Sequence, residues 1–221
     1  MKKYDVKIST LWAGWSGPQE WNPYNGPSTL GIVPKEYRAQ RMNELMQGSD
    51  FAKKLGVDKV ATHVGFIPEN PGTEEYRSLV NSIKYLAEHY KKNGQYFLFE
   101  TGQETPITLL RTIEEVGTGN LGINLDPANL ISYGKGNPID ALGVFGKYVM
   151  DVHAKDAKYP TTGTKNGEEY PLGEGMVNFP EFIKKLKEIG YDATLTIERE
   201  ITGEQQIKEI NAAKIYLEGL I

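Results

Sequence analysis

The sequence predicts an α/β fold, a parallel (βα) barrel of the TIM type, with six βα units visible where a closed barrel has eight. Three observations carry that prediction. Short apolar runs rich in aromatic and β-branched residues alternate with helix-period segments along the chain. A length of 221 residues suits one α/β barrel domain. Four of the apolar runs end on a side chain that ligates divalent metals: Glu100, Asp126, His153 and Glu198. Strands alternating with helices lie parallel, with their C-terminal ends on one side of the sheet. Side chains scattered over almost a hundred positions would therefore converge on one face.

In chain order, the first strand is expected over residues 6–12, followed by a long loop to Pro34 rich in Gly, Pro and tryptophan. A helix from about Lys35 to Leu55 stops at Gly56, a residue type that suits the left-handed C-terminal position. Residues 59–63 form the second strand, ending on His63. Leu79, Ile83, Leu86 and Tyr90 then repeat at helical spacing over Glu74 to Lys92. Tyr96–Glu100 is the third strand, and Pro106 opens a helix that Gly117 closes. Residues 121–126 form the fourth strand; a turn at Pro127 and a short helix over 138–145 follow. The fifth strand is 148–153, and a long loop runs on to Val177. Asn178 is expected to cap a helix over 179–188, before a last strand at 193–198 and a final helix over 204–218. No linker or low-complexity segment interrupts residues 1–221, which read as a single domain.

The net charge of -4 offers no attraction for nucleic acid or an anionic membrane surface. Without cysteine there is no disulfide, zinc knuckle or thiol nucleophile, which fits a reducing, cytoplasmic setting. No apolar stretch approaches the roughly 20 residues that span a bilayer, and the basic start Met-Lys-Lys lacks the apolar core of a signal peptide.

Three carboxylates and one imidazole make a hard, oxygen-rich divalent site. Strand alternation supports it: with Glu100 inward, Phe97 and Phe99 face the helices; with Asp126 inward, so are Asn124 and Gly122; His153 brings Asp151 inward. Polar groups follow in the loops: Gln103 and Glu104, Asn129, Lys155, and Glu200 as a reserve ligand. Arg199 should point outward. His63 ends the second strand on the same face, and Trp12 or Trp15 could stack on the apolar face of a sugar. Arg38 and Arg41 begin a helix and are expected to be solvated.

The segments Phe-Glu-Thr-Gly-Gln-Glu, Asn-Leu-Asp-Pro-Ala-Asn, Val-His-Ala-Lys-Asp and Thr-Ile-Glu-Arg-Glu, in that order, resemble the xylose-isomerase-like barrel family of sugar phosphate isomerases and epimerases. The resemblance implies a metal site of Glu100, Asp126, His153 and Glu198, with Glu100 and Glu198 as the catalytic acid–base pair on a sugar or sugar derivative. Proton transfer beside a carbonyl would pass through an enediolate that a divalent ion stabilises. Mn²⁺ or Mg²⁺ is the expected ion, with Co²⁺ or Zn²⁺ as further candidates. His63, Glu104, Asn129, Lys155 and Trp12 are the expected substrate contacts; Asn129 stands where the family often has a histidine. Inosose-type dehydration and a non-catalytic carbohydrate- or metal-binding relic are the rival readings. The endonuclease IV branch of the same barrel uses more histidines and binds DNA, which three histidines and an acidic balance argue against.

Two further expectations concern architecture. The resemblance begins at what looks like the family's third strand, so two N-terminal βα units are expected to be missing. Open strand edges should then drive homo-oligomerisation, or the sheet should curl into a smaller ring. Residues 159–175 should act as a glycine-hinged lid.

Overall fold

The computed structural model describes residues 4–221. Six parallel strands form one sheet in the order β1-β2-β3-β4-β5-β8: β1 (Leu11–Trp12), β2 (Lys59–Thr62), β3 (Tyr96–Glu100), β4 (Leu121–Leu125), β5 (Val149–Ala154) and β8 (Leu195–Ile197). The sheet curls as an open half-barrel. Trp12 Nε1 donates to Glu100, Thr10 Oγ1 donates to Asp151, and Lys59 Nζ reaches the Met150 carbonyl at 3.0 Å, so side chains cross the concave interior. A closed six-stranded ring does not form. Among the described residues β1 pairs only with β2, and β8 only with β5.

The central strands match the sequence reading because neighbours on both sides hold them. Phe97 and Phe99 turn outward, where Phe97 meets Tyr90 of α3 (Glu74–Lys92) edge-on at 5.2 Å. The edge strands are shorter than expected. Residues 6–10 stay outside the ladder, with Val6 and Ile8 exposed, because apolar alternation cannot order a strand that lacks a pairing partner. β8 likewise keeps three residues of the expected six.

The helices begin and end where local chemistry dictates. α1 (Gly26–Thr29) lies inside the long first loop, and α2 (Lys35–Leu55) ends at Gly56 with φ 74°. The hydroxyl of Thr73 caps α3, and Thr105 caps α4 (Pro106–Val116), each accepting a backbone N–H of the first turn. α5 (Pro127–Ser132) occupies what the sequence reading treats as a turn; Pro at the first helical position after an acidic cap is a start signal. α6 (Pro138–Phe145), α7 (Phe179–Glu188) and α8 (Glu204–Glu218) complete the outer layer. Asn178 precedes α7 in a left-handed conformation (φ 58°), and its side chain caps nothing, so the expected cap is positional only. Within the long loop after β5, a small antiparallel ladder joins β6 (Asp156–Ala157) to β7 (Glu169–Tyr170). No helix among the described residues is long and apolar enough to cross a membrane.

The first loop is fixed by two arginines that the sequence reading leaves in solvent. Arg41 is fully buried and donates to the carbonyls of Ser16, Pro18, Thr29 and Gly31 at 2.7–3.2 Å. Arg38 donates to Ile32 and Val33 carbonyls and to Ser78. The loop folded back over the helix, and its carbonyls replaced water. Its far end then packs backbone to backbone on the exit of β2: a Cβ on Gly31 would sit 1.9 Å from the Val64 carbonyl oxygen, and both Gly31 and Gly65 have positive φ. This contact sets the loop beside His63.

Candidate metal centre and its pocket

Glu100 closes β3, Asp126 follows β4, His153 lies near the end of β5 and Glu198 follows β8, and a ligand atom from each lies within 4.8 Å of all the others. Glu100 and Asp126 are each divided between a structural contact and the centre. Glu100 Oε2 accepts from Trp12 Nε1, while Oε1 faces His153 Nδ1 at 3.2 Å and His63 Nε2 at 3.6 Å. Asp126 Oδ1 caps α5 by accepting the Asn129 amide at 2.9 Å, leaving Oδ2 buried without a hydrogen-bond partner. Glu198 Oε2 lies 3.0 Å from His153 Nδ1 and 3.4 Å from Lys155 Nζ.

This donor set fits a divalent cation. Asp126 Oδ2, Glu198 Oε2 and His153 Nδ1 are buried, turned toward one point, and lack hydrogen-bond partners. The Asn124 side-chain amide meets the other ring nitrogen, Nδ2 lying 3.0 Å from His153 Nε2, and its Oδ1 is buried without a partner. Turning that amide so its oxygen accepts from Nε2–H frees the Nδ1 lone pair for an ion. The electrostatics select positive charge at the centre. Burial works against an imidazolium, yet contacts with Glu100 and Glu198 outweigh it and push His153 up to about 11. Burial raises Asp126 against the opposing pull of Lys155. For Glu198 the burial penalty is overcome by His153 and Lys155, which hold it below the usual carboxylate range. Glu100, Asp126, His153 and Glu198 would hold a divalent ion, whose charge would supply the same compensation in place of the imidazole proton.

The centre opens into a pocket of about 700 Å³. Of the expected substrate contacts, Trp12, His63, Asn129 and Lys155 line it. Glu104 does not: it is buried away from the lining, and burial pushes its carboxyl up to about 8. Trp15 is also behind the wall, buried and 6.0 Å from both Trp12 and Trp21, with the Arg41 guanidinium over its ring. Arg199 points outward, between Glu169 at 2.9 Å and Glu209 at 2.5 Å. Lys155 Nζ sits 3.0 Å from Glu200, which makes Glu200 the partner of the lysine rather than a ligand of the centre.

Trp21, Tyr133, Asn166 and Glu169 line the pocket without having been singled out as site residues. Their loops carry no periodic signal; Trp21 alone, an aromatic in a Gly/Pro-rich strand exit, could have been flagged. Asn166 and Gly167 come from the segment 159–175, which is tied down over the pocket by Asn166 Nδ2 donating to the Trp21 carbonyl and Gly167 N donating to the Ser132 carbonyl.

The profile of xylose isomerase-like TIM barrels matches residues 1–220. The chain belongs to that family. A solved xylose isomerase domain protein from Planctomyces limnophilus superposes with a TM-score of 0.92 at 38% identity, over 99% of this chain and 78% of that one. An uncharacterized protein of Methanocaldococcus jannaschii is 32% identical over 207 residues, covering 87% of this chain and 66% of the relative. A 3-dehydroshikimate dehydratase of Bacillus anthracis is 29% identical over 139 residues, covering 55% and 49%. The chain thus spans two-thirds or less of these curated relatives. The family includes sugar epimerases and dehydratases of inosose and 3-dehydroshikimate. Two solved neighbours at 18% identity and TM-score 0.69 share the fold; one is in complex with magnesium and the other binds a zinc atom.

Proposed function

We propose that this chain is a divalent-metal-dependent isomerase or epimerase of a sugar or sugar derivative, acting by proton transfer beside a carbonyl. The observation that carries the reading is the four-residue cluster at the strand ends, in which Asp126, His153 and Glu198 each offer an unpartnered ligand atom and Glu100, His153 and Glu198 line the pocket. Glu100, Asp126, His153 and Glu198 would hold the ion. When bound, a divalent ion acts as a Lewis acid on the substrate oxygens that gain charge as the proton leaves.

The protein's own groups do the rest. Glu100 and Glu198 approach the centre from strands separated by β4 and β5, so the two carboxylates can flank a substrate and exchange roles as base and acid. Trp12 locks the orientation of Glu100, and Lys155 that of Glu198. Asp126 and His153 serve mainly as anchors. The oxygen-rich set favours Mn²⁺ or Mg²⁺, and solved neighbours of the same fold contain magnesium or zinc. Dehydration is the second reading, favoured by the dehydratases among the curated relatives. The same carboxylate would remove the proton, and Lys155 would protonate the departing hydroxyl. We also infer self-association through the unpaired edges of β1 and β8, which light scattering reads as a dimer or larger.

The test is deuterium incorporation from D₂O beside the carbonyl across a panel of sugars and cyclitol ketones with Mn²⁺. Exchange should appear and fall about 10²–10⁴-fold in E100Q and E198Q, the range for a lost acid–base group. Exchange that survives both substitutions, or none from any panel member, overturns the proposal.

A further inference from the structure

We infer that the substrate of this pocket is an uncharged polyhydroxylated compound, carrying neither phosphate nor carboxylate. The inference rests on the reading above only in taking this pocket as the place where substrate binds.

The lining divides by chemistry. One wall is aromatic: Trp12 and Trp21 expose 44% and 40% of their surface, and the His63 ring stands edge-on to them at 6.3 and 5.2 Å. Indole faces left open at a pocket mouth suit the C–H face of a sugar or cyclitol ring. A second part of the lining reads hydroxyls: Asn129, Ser132 and Asn166 present amide and hydroxyl groups, and Asn166 Oδ1 is a buried acceptor without a partner. A third part is acidic, from Glu100, Glu169, Glu198 and Glu200.

What would greet an anion is missing from this lining. Among the described residues it contains no arginine, and Lys155 is its single lysine. That lysine is 5% exposed and already shared among Asp126, Glu198 and Glu200 at 3.0–3.6 Å. The neighbouring Arg199 is committed to Glu169 and Glu209. A divalent ion together with Lys155 supplies three positive charges against the four carboxylates Glu100, Asp126, Glu198 and Glu200, so the group as a whole keeps a net negative charge. Proteins that recognise phosphate or carboxylate supply arginine forks, free ammonium groups or open helix N-termini. Here the nearest helix start, that of α5, is occupied by its own Asp126 carboxylate. A phosphorylated substrate would place two negative charges among these carboxylates, and juxtaposed like charges are strongly disfavoured.

The test compares matched pairs with the Mn²⁺-loaded full chain: free ketohexoses and aldoses against their phosphates, and neutral sugars against the corresponding uronates. Deuterium exchange from the neutral member should be at least ~100-fold faster per unit concentration, as expected for several kcal/mol of like-charge repulsion. A phosphate or uronate that exchanges as fast as its neutral counterpart overturns the inference. If nothing exchanges, the proton-transfer reading fails and binding decides the charge class separately. Quenching of tryptophan fluorescence should then follow neutral polyols and not their phosphates, and E200K should gain affinity for the phosphates by about tenfold or more. Tighter quenching by phosphates in the unmodified chain, or quenching by neither class, overturns it.

Discussion

The two oxygens of Asp126 do different work, and one pair of substitutions separates them. Oδ1 caps α5 through the Asn129 amide at 2.9 Å; Oδ2 faces the strand-end cluster, 3.6 Å from Lys155 Nζ. In D126N the side-chain oxygen keeps the cap, while an amide N–H₂ replaces Oδ2 and puts a donor where an ion needs an acceptor. In D126A both contacts go. A cap of this kind contributes about 1 kcal/mol, and a protein of this size shifts its Tm by about 2–4 °C per kcal/mol. With a chelator present, D126A should therefore melt about 2–4 °C below D126N. Mn²⁺ at a hundred times its Kd should stabilise the unmodified chain by about 2.7 kcal/mol, which is about 5–11 °C. D126N should show less than a third of that shift. Thermal melts followed by circular dichroism, with chelator and across a Mn²⁺ titration, give both comparisons. A full metal shift in D126N would remove Asp126 from the ligand set, and coincident melts of D126N and D126A under chelator would remove its capping role.

Glu104 supplies a pH signature. Burial raises its carboxyl to about 8, so the folded state keeps a proton that the unfolded chain releases near its ordinary value of 4.5. Its contribution is complete below that ordinary value and is lost as pH rises toward 8; at up to about 1.4 kcal/mol per unit the loss amounts to a few kcal/mol. E104Q should be as stable as the unmodified chain near pH 4.5 and more stable at pH 8, and urea melts giving parallel pH curves would refute this. R41M takes the donor from four carbonyls, that of Gly31 buried and those of Ser16, Pro18 and Thr29 part-buried, and should cost about 2 kcal/mol or more; a Tm within a degree of the parent would show that the guanidinium is not the anchor. Trypsin should cut the segment 159–175 at Lys165, and more slowly with Mn²⁺ and a substrate present, if that segment closes over the pocket; equal rates would rule out a lid.

Most of the fold was legible because its signals are local. Gly56, Pro106 and Gly117 mark helix ends through interactions within a turn of themselves, and the corresponding boundaries fall where the sequence places them. The site was legible for a different reason: parallel topology carries strand-end residues to one face whatever their separation in sequence, and Glu100, Asp126, His153 and Glu198 come together on that principle alone. What the sequence hid depends on contacts between distant segments. The edge strands shrink because nothing pairs with their outer sides. Two-residue β6 and β7 exist only because Asp156, which accepts amides from Gly173, Gly175 and Val177, folds the loop back on itself. Arg38 and Arg41 look solvated on a helix and become buried only when the first loop lies over them. Glu104 looks like a pocket residue by its distance from Glu100, but the chain turns it inward after Gly102.

The Arg41 anchor has a consequence for how this pocket can be changed. Its guanidinium hydrogen-bonds the first loop through main-chain oxygens alone, and every residue type offers the same oxygen. Apart from Trp15, whose ring lies under the guanidinium, side chains on that loop are therefore under no obligation to the anchor. Of the two tryptophans of the aromatic wall, Trp12 precedes the segment held at Ser16, Pro18, Thr29 and Gly31 and Trp21 lies within it, but Arg41 hydrogen-bonds neither side chain, so Trp21 can be exchanged for other shapes while the loop stays in register. Trp12 is less free, because its indole also steadies Glu100. A library varied at Trp21, Asn129 and Asn166 over a fixed Arg41 would explore new substrates without reopening the question of whether the scaffold folds.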